Sequence, residues 1–476
     1  MSFHSAPISR RNVVRGFAAV AASAVVAACG NNAPTATAPS AATATVGANS
    51  VTSAPATTTT VTVLVAASPA AVVTRTARSV AIEYWDTSPN GAPADGIRDL
   101  VKRFNDMNTG ITVTEKAFPD YVTLIQGLQA ALAAKTPPAV VQIGYGNLRY
   151  VVASLPHQTI DDAVKHDPAG RDFLTKNYTP AVLELGKVDG TLHGLPYSSS
   201  VPVLFYNADL FMQAGISQPP QTWTDVRTTA QTLKTRTGKY GFVMDEATTN
   251  FWVYQAFIEG NGAKLLVGTG NDVRCGVDSP EAIEAMQLIS DMVLKDQSAA
   301  HLSQLQGQAS FKSGEIAMIA TSSAQTGDFQ KSAAFHLASS PFPTFDMKPR
   351  KMPVGGNDLF IFATDPDKQT AAWEFIKHLE SPESLTTWVK ATGYVSPRLG
   401  VADNPQYLKP YYDGNLFTKP SLDELAEVVP WASWPGQGGL QADSELIDAR
   451  QRILNGAVVA TSLKDAAARV NQLIRM

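Results

Sequence analysis

The sequence is short of the residues that build covalent, metal and phosphate chemistry. Its 476 residues hold two cysteines, Cys29 and Cys275, which argues against an intramolecular disulfide framework and leaves Cys275 as a small core residue. No CxxC, HExxH or Asp/His ligand cluster occurs, and the seven histidines stand apart along the chain, so no metal site is expected. No GxSxG elbow is present. Gly268-Thr269-Gly270-Asn271 is neither a GxGxxG nor a phosphate loop and reads as a surface turn, so no cofactor is expected either. Charged residues make up only 17%, the net charge is −4, and no Lys/Arg cluster marks the body, which argues against a nucleic-acid partner. Carboxyl pairs for glycosidic chemistry leave no mark in sequence spacing, so a glycan-active enzyme stays open. What is present is an ordinary globular composition, 44% hydrophobic, over a length that one core seldom organises; two folded units are expected.

The N-terminus reads as an address. Ser9-Arg10-Arg11-Asn12-Val13-Val14-Arg15 resembles a twin-arginine export signal, and the apolar run that follows, 16–28, is too short for a permanent bilayer span. It ends in Val26-Ala27-Ala28-Cys29, which resembles a lipobox. The expectation is a signal peptide over 1–28 and a lipid on Cys29, anchoring the protein to the outer face of a bacterial cytoplasmic membrane. Residues 29–79 are rich in Ala, Thr, Ser and Pro and almost uncharged until Arg75, the composition of a disordered tether.

From residue 80 the patterns alternate. Strands are expected at 80–85, 111–113 and 139–143. Between them lie helices carrying Ile97, Leu100, Val101 and Phe104, then Val122, Ile125, Leu128 and Leu132, on one face. Such β-α-β-α-β order demands a largely parallel sheet with helices on its faces, and ligands bind at the carboxyl ends of such strands. Further on, Ser279-Pro280 caps one helix, Pro353 to Asp358 reads as a tight glycine turn before a strand at 359–363, and Ser462 caps a final amphipathic helix.

The stretch 195–225 organises the rest: LPYSSSVPVLFYNADLFMQAGISQPPQTWTD. A polar, aromatic segment leads into an apolar strand around Pro202. A short helix closed by Gly215 follows, and Thr222 caps the next helix after Pro219-Pro220. This order, with Phe311-Lys312-Ser313-Gly314-Glu315-Ile316-Ala317-Met318 further on, resembles the extracellular solute-binding proteins (family 1, mostly carbohydrate binders) that feed ABC importers.

The resemblance implies a two-lobe α/β periplasmic-binding-protein-like fold of type II with a hinge between the lobes. Lobe one is expected at 80–199 with 355–394 and lobe two at 200–354 with 395–476, the chain crossing near Val201, Gly355 and Val395. It implies a monomeric receptor that captures a sugar, polyol or glycerol-phosphate-like solute and delivers it to ABC permease subunits. Ligand contacts are implied at Tyr121, Ser199, Ser200, Ser322, Ser323, Gly355, Gly356 and Tyr394, with Tyr145, Trp252, Asn357 and Asp358 in matching loops. Tyrosine and tryptophan faces stack on sugar C–H faces, and short polar side chains meet the hydroxyls. Trp223 and Trp373 read as core; Trp431 and Trp434 are open between pocket rim and core.

Within the family, residues 80–476 most resemble the glycerol-3-phosphate-binding branch. That branch takes the phosphate with an arginine in a glycine-bearing loop before the penultimate helix. Here that loop is Pro435-Gly436-Gln437-Gly438-Gly439, with no arginine, and Tyr145 stands where the branch has an acidic residue. A buried dianion without a cation is strongly penalised, so a neutral glycan or polyol is expected. The alternatives are a glycerol-3-phosphate or glycerophosphodiester receptor of the same fold, a glycan-active enzyme, or a sensor or scaffold lipoprotein.

Overall fold

A computed structural model describes residues 79–268, 272–415, 417–420 and 428–475. The signal, the lipid site at Cys29 and the tether fall outside the described residues, as does most of the Gly268 to Asn271 turn. Among the described residues no helix is long and apolar enough to cross a membrane.

Ten strands form two five-stranded sheets. In chain order they are β1 (Val80–Asp86), β2 (Ile111–Ala117), β3 (Val140–Gly144), β4 (Leu195–Ser200), β5 (Pro202–Asn207), β6 (Phe242–Met244), β7 (Ala299–Ala300), β8 (Met318–Ser322), β9 (Leu337–Pro341) and β10 (Gly355–Ile361). The first sheet runs β2-β1-β3-β10-β4 and the second β7-β6-β8-β5-β9.

Each sheet is parallel except for one reversed strand. In the first, β10 lies antiparallel to β3 and β4; in the second, β5 lies antiparallel to β8 and β9. These are the strands that enter a lobe from the other one, so they start at the cleft where their neighbours end. β4 passes into β5 through the single buried residue Val201, and β10 arrives from the second lobe at Gly355. Val395 exchanges two backbone bonds with Ser199 at the edge of β4, its N–H donating at 2.7 Å and its carbonyl accepting at 3.1 Å.

Gly355 to Asp358 is therefore the start of a strand and not a turn. It carries a β-bulge at Asn357/Asp358, next to Gly356 at φ 117. The final helix, Val459–Leu473, begins ahead of Ser462, which lies buried inside it, and Val458 precedes it without a side-chain cap.

Apolar side chains cover both faces of the first sheet. One layer gathers Ile97, Leu100, Phe104, Phe375 and Trp388; the other gathers Leu124, Leu128, Val141 and Phe360. The second lobe has one continuous core around Trp223, whose ring meets Phe242, Phe257 and Phe342 edge-on. Trp373 joins the first core, and Trp434 and Cys275 the second. Burial pushes the Cys275 thiol up to about 12, so it is inert. The chain does not leave the first lobe at Val395: Val401 and Leu408 still pack in the first core, and only the residues from Ala432 on join the second.

Candidate functional site

Where the carboxyl ends of the two sheets face each other lies a cavity of about 150 Å³. Its walls differ in origin. Tyr121, Gly355, Gly356 and Tyr394 come from the first lobe. Asp245, Trp252, Gln304, Ser322 and Gln325 come from the second, with Ser200 at the crossover and Trp431 from the loop ahead of the penultimate helix.

The first wall is built on Tyr121, the first residue of the helix Tyr121–Ala133. Asp120 caps this helix by accepting from the Thr123 N–H at 2.8 Å. Gly144 at the end of β3 lets the Tyr121 ring lie flat on the backbone, since a Cβ there would stand 2.8 Å from the ring. The Tyr121 hydroxyl is a hub: Asn357 Nδ2 donates to it at 3.0 Å, and the side chains of Thr87 and Tyr394 lie close to it. Tyr394 is delivered by Gly393, the left-handed C-cap (φ 89) of the helix Pro382–Thr392. Its ring stacks on Trp388 at 5.8 Å, and Trp388 Nε1 donates to Ser198 Oγ at 2.8 Å.

The second wall centres on Trp252, at the start of the helix Trp252–Gly260. Trp252 Nε1 donates to the Pro353 carbonyl at 2.9 Å, and its ring covers Gly355, where a Cβ would stand 2.6 Å away. Trp431 lies 5.7 Å from it and covers Gly146 after β3 in the same manner. Asp245 directly follows β6, at the carboxyl end of a strand parallel to β7 and β8. Its Oδ2 accepts from Thr321 Oγ1, from Gln304 Nε2 at 3.1 Å and from Gln308 Nε2 at 3.4 Å, while its Oδ1 is buried without a partner. Burial raises this carboxyl, and the three donors oppose the rise.

Seven of the residues named from sequence line the cavity: Tyr121, Ser200, Trp252, Ser322, Gly355, Gly356 and Tyr394. Five stand behind it. Ser323 locks the crossover, its N–H donating to the Val201 carbonyl at 2.9 Å and its Oγ accepting from the Val201 N–H at 3.2 Å. Asn357 holds Tyr121. Ser199 and Tyr145 are buried side by side, with burial and then the Asp358 carboxyl raising the Tyr145 hydroxyl. Asp358 points away, towards Gly194; it is fully buried with both oxygens unpartnered, and burial followed by Glu380 raises it well above the usual carboxylate range.

Asp245, Asn250 and Gln304 were not legible as site residues. The missing signal was the short strand β6; once it is recognised, Asp245 at its carboxyl end is an obvious candidate. Trp431 proves to be cleft, and Trp434 is core.

Among the described residues, no Lys, Arg or His lines this cavity or the recess beside it, which Asp443 borders. Gln437 in the glycine-bearing loop is exposed and outside the lining. Arg398 is held elsewhere, on the Glu380 carbonyl and on Asn177 Oδ1 at 3.0 Å, over the Phe173 ring. His157 and His193, distant in sequence, meet at 2.8 Å in the first lobe. Among the described residues, however, no group of three or more His, Cys, Asp or Glu side chains could hold a metal ion.

The sequence pattern described as "bacterial extracellular solute-binding protein" matches residues 99–410. The chain belongs to this family. It is 27% identical over 373 residues, 75% of this chain and 83% of the other, to the sn-glycerol-3-phosphate-binding periplasmic protein UgpB of Agrobacterium fabrum. To UgpB of Rhizobium meliloti it is 29% identical over 66% of this chain and 74% of the other. In fold it is similar to UgpB from Mycobacterium tuberculosis in complex with glycerophosphocholine, with a TM-score of 0.73 at 22% identity over 83% of this chain and 98% of that one. It is also similar to the GacH receptor of Streptomyces glaucescens, solved unliganded and with acarbose, with a TM-score of 0.72 at 19% identity over 83% and 99%. The two-lobe α/β architecture expected from sequence is thus the architecture of this family of solute-binding proteins.

Proposed function

We propose that this protein is the receptor of an ABC importer, capturing a carbohydrate or polyol-type solute between its lobes and delivering it to a membrane permease. The observation that carries this reading is a cavity lined from both lobes by aromatic rings and short polar side chains, with no cation on its walls among the described residues. Rings such as Tyr121, Tyr394 and Trp252 suit the C–H faces of a sugar, while Ser200, Ser322, Asn250 and Gln325 suit its hydroxyls. A space of about 150 Å³ matches a cavity that holds one six-membered ring, so the site suits a unit of that size. Because the wall is shared, ligand contacts to both lobes favour the closed over the open arrangement, and hinge rotation follows from that difference.

The relatives that bind glycerol-3-phosphate or glycerophosphocholine are consistent with the fold, but a phosphate dianion would meet carboxyls here and no guanidinium. The named relatives are binding proteins, and we read this chain as a receptor and not an enzyme. We further propose export with removal of 1–28, lipidation of Cys29, and residues 29–79 as the link to the membrane; Cys29→Ala should then appear in the medium. The test of function is a thermal-shift screen of monosaccharides, polyols and glycerophosphodiesters. A true ligand at about 100 times its Kd adds roughly 2.7 kcal/mol of stability. A response confined to phosphodiesters, or turnover of a saccharide, would contradict the reading.

A further inference from the structure

Asp245 is 5% exposed, lines the cleft, and uses only one of its oxygens inside the protein. Thr321, Gln304 and Gln308 all donate to Oδ2, an arrangement that stabilises the ionised carboxylate and leaves Oδ1 as a buried acceptor with nothing to accept. The charged and titratable groups around it are Glu246, Tyr254 and Arg450; of these only Arg450 is cationic, and it favours the ionised carboxylate from behind the wall without hydrogen-bonding it. Arg450 is 1% exposed and sits behind the wall. Its Nη2 donates to the Ala247 carbonyl at 2.9 Å, its Nε is 3.9 Å from Glu246, and its guanidinium lies 5.1 Å from the centre of the Tyr254 ring. Glu246 also takes His301 Nδ1 at 2.9 Å and Gln451 Nε2 at 3.2 Å. Of two adjacent buried carboxyls, one is surrounded by donors and the other, on a residue that lines the cavity, keeps one buried oxygen without a partner. A second carboxyl, Asp443, borders the adjoining recess with only Trp434 Nε1 on its Oδ1, at 3.0 Å.

We propose that Asp245 makes the cleft selective for a polyhydroxylated solute bearing a basic nitrogen, which donates to Oδ1 while the rings of Phe251, Trp252 and Tyr254 line its surroundings. This rests on the reading of the cleft as a sugar or polyol site and narrows it: an ammonium supplies both the missing donor and a positive charge on the cavity side, a neutral hydroxyl supplies only the donor, and an anion is repelled.

The experiment is calorimetric titration of two probe pairs that differ in a single amine, D-glucosamine against D-glucose and 1-amino-1-deoxysorbitol against sorbitol, with wild type and Asp245→Asn. The amine should bind wild type at least about tenfold more tightly than its neutral partner, and the ratio should fall to near one in Asp245→Asn, which keeps the side chain's shape. Equal affinities within the pairs, or a ratio unchanged in Asp245→Asn, would overturn the proposal while leaving the sugar-receptor reading intact. Should the variant not fold, the wild-type ratio alone decides. If none of the four probes binds and glycerol-3-phosphate does, the proposal and the functional reading fall together.

Discussion

The two walls of the cleft are built on opposite plans. On the first lobe, the aromatic rings of the wall are held by bonds within the lobe: Asn357 donates to the Tyr121 hydroxyl and Trp388 bonds Ser198, while unpartnered polar atoms such as Asn357 Oδ1 and the Asp358 carboxyl lie on residues behind the lining. That wall is a platform whose rings are held from within the lobe. On the second lobe, Asp245 keeps an oxygen in reserve, and the aromatic rings are pinned by single bonds such as Trp252 to Pro353. A braced face that offers shape, opposite a face that offers an unmet hydrogen bond, divides recognition into stacking and selection.

The largest effect should come from disturbing the backbone of the first wall. Gly356 has φ 117, and a Cβ there would stand 2.0 Å from the Ser198 carbonyl oxygen, so Gly356→Ala should lose about 3 kcal/mol or more in urea unfolding. Its counterpart in the second lobe is Gly314, which leads into β8 with φ 79 and meets nothing closer than 3.5 Å. Gly314→Ala should therefore cost only about 1–2 kcal/mol, and equal losses would break the contrast. Next, Tyr394→Ala should weaken calorimetric ligand binding by roughly 1–3 kcal/mol, through a lost ring face and a loosened Tyr121 hub. Tyr394→Phe should cost about 0.5–1.5 kcal/mol.

Arg398→Ala separates framework from cleft. It should lower stability by about 1–2 kcal/mol through its bonds to Glu380 and Asn177, and leave ligand affinity unchanged.

The remaining effect is electrostatic and is spread along the pH scale. Burial raises Glu380 from 4.5 to about 8, so between those values the folded state keeps a proton that the unfolded state has released. The contribution of this group is full below about 4.5, falls as pH rises, and is gone above about 8. Its slope is at most about 1.4 kcal/mol per pH unit. Glu380→Gln should flatten that part of the stability profile in a pH series of melts.

Long periodic elements were readable from sequence because their burial repeats. The helix Gly91–Asp106 buries Ile97, Leu100, Val101 and Phe104, as the spacing required, and Thr222 caps the helix Trp223–Thr237 through a reciprocal box with Asp225. The short strands β6 and β7 were not readable, since two or three residues carry no period, and Asp245 was lost with them. The bulge at Asn357/Asp358 reads as a turn in sequence because Gly355-Gly356 is a turn signal locally; the partner strands that claim it come from distant sequence. The side of a strand that faces the cleft also depends on register, which explains why Gly356 lines the cavity while Asp358, two residues on, turns into the fold past the bulge. His157 and His193 looked isolated for the same reason: their meeting is a tertiary event.

The central claim is that this cleft recognises its solute without a fixed cation. The most direct measurement is the affinity of purified protein for a neutral saccharide or polyol that responds in the thermal-shift screen, set against glycerol-3-phosphate, by calorimetry at low and high salt. The cleft as built predicts saturable binding of the neutral solute that changes little with ionic strength, and weaker binding of glycerol-3-phosphate. Tight glycerol-3-phosphate binding that weakens steeply with salt would contradict it.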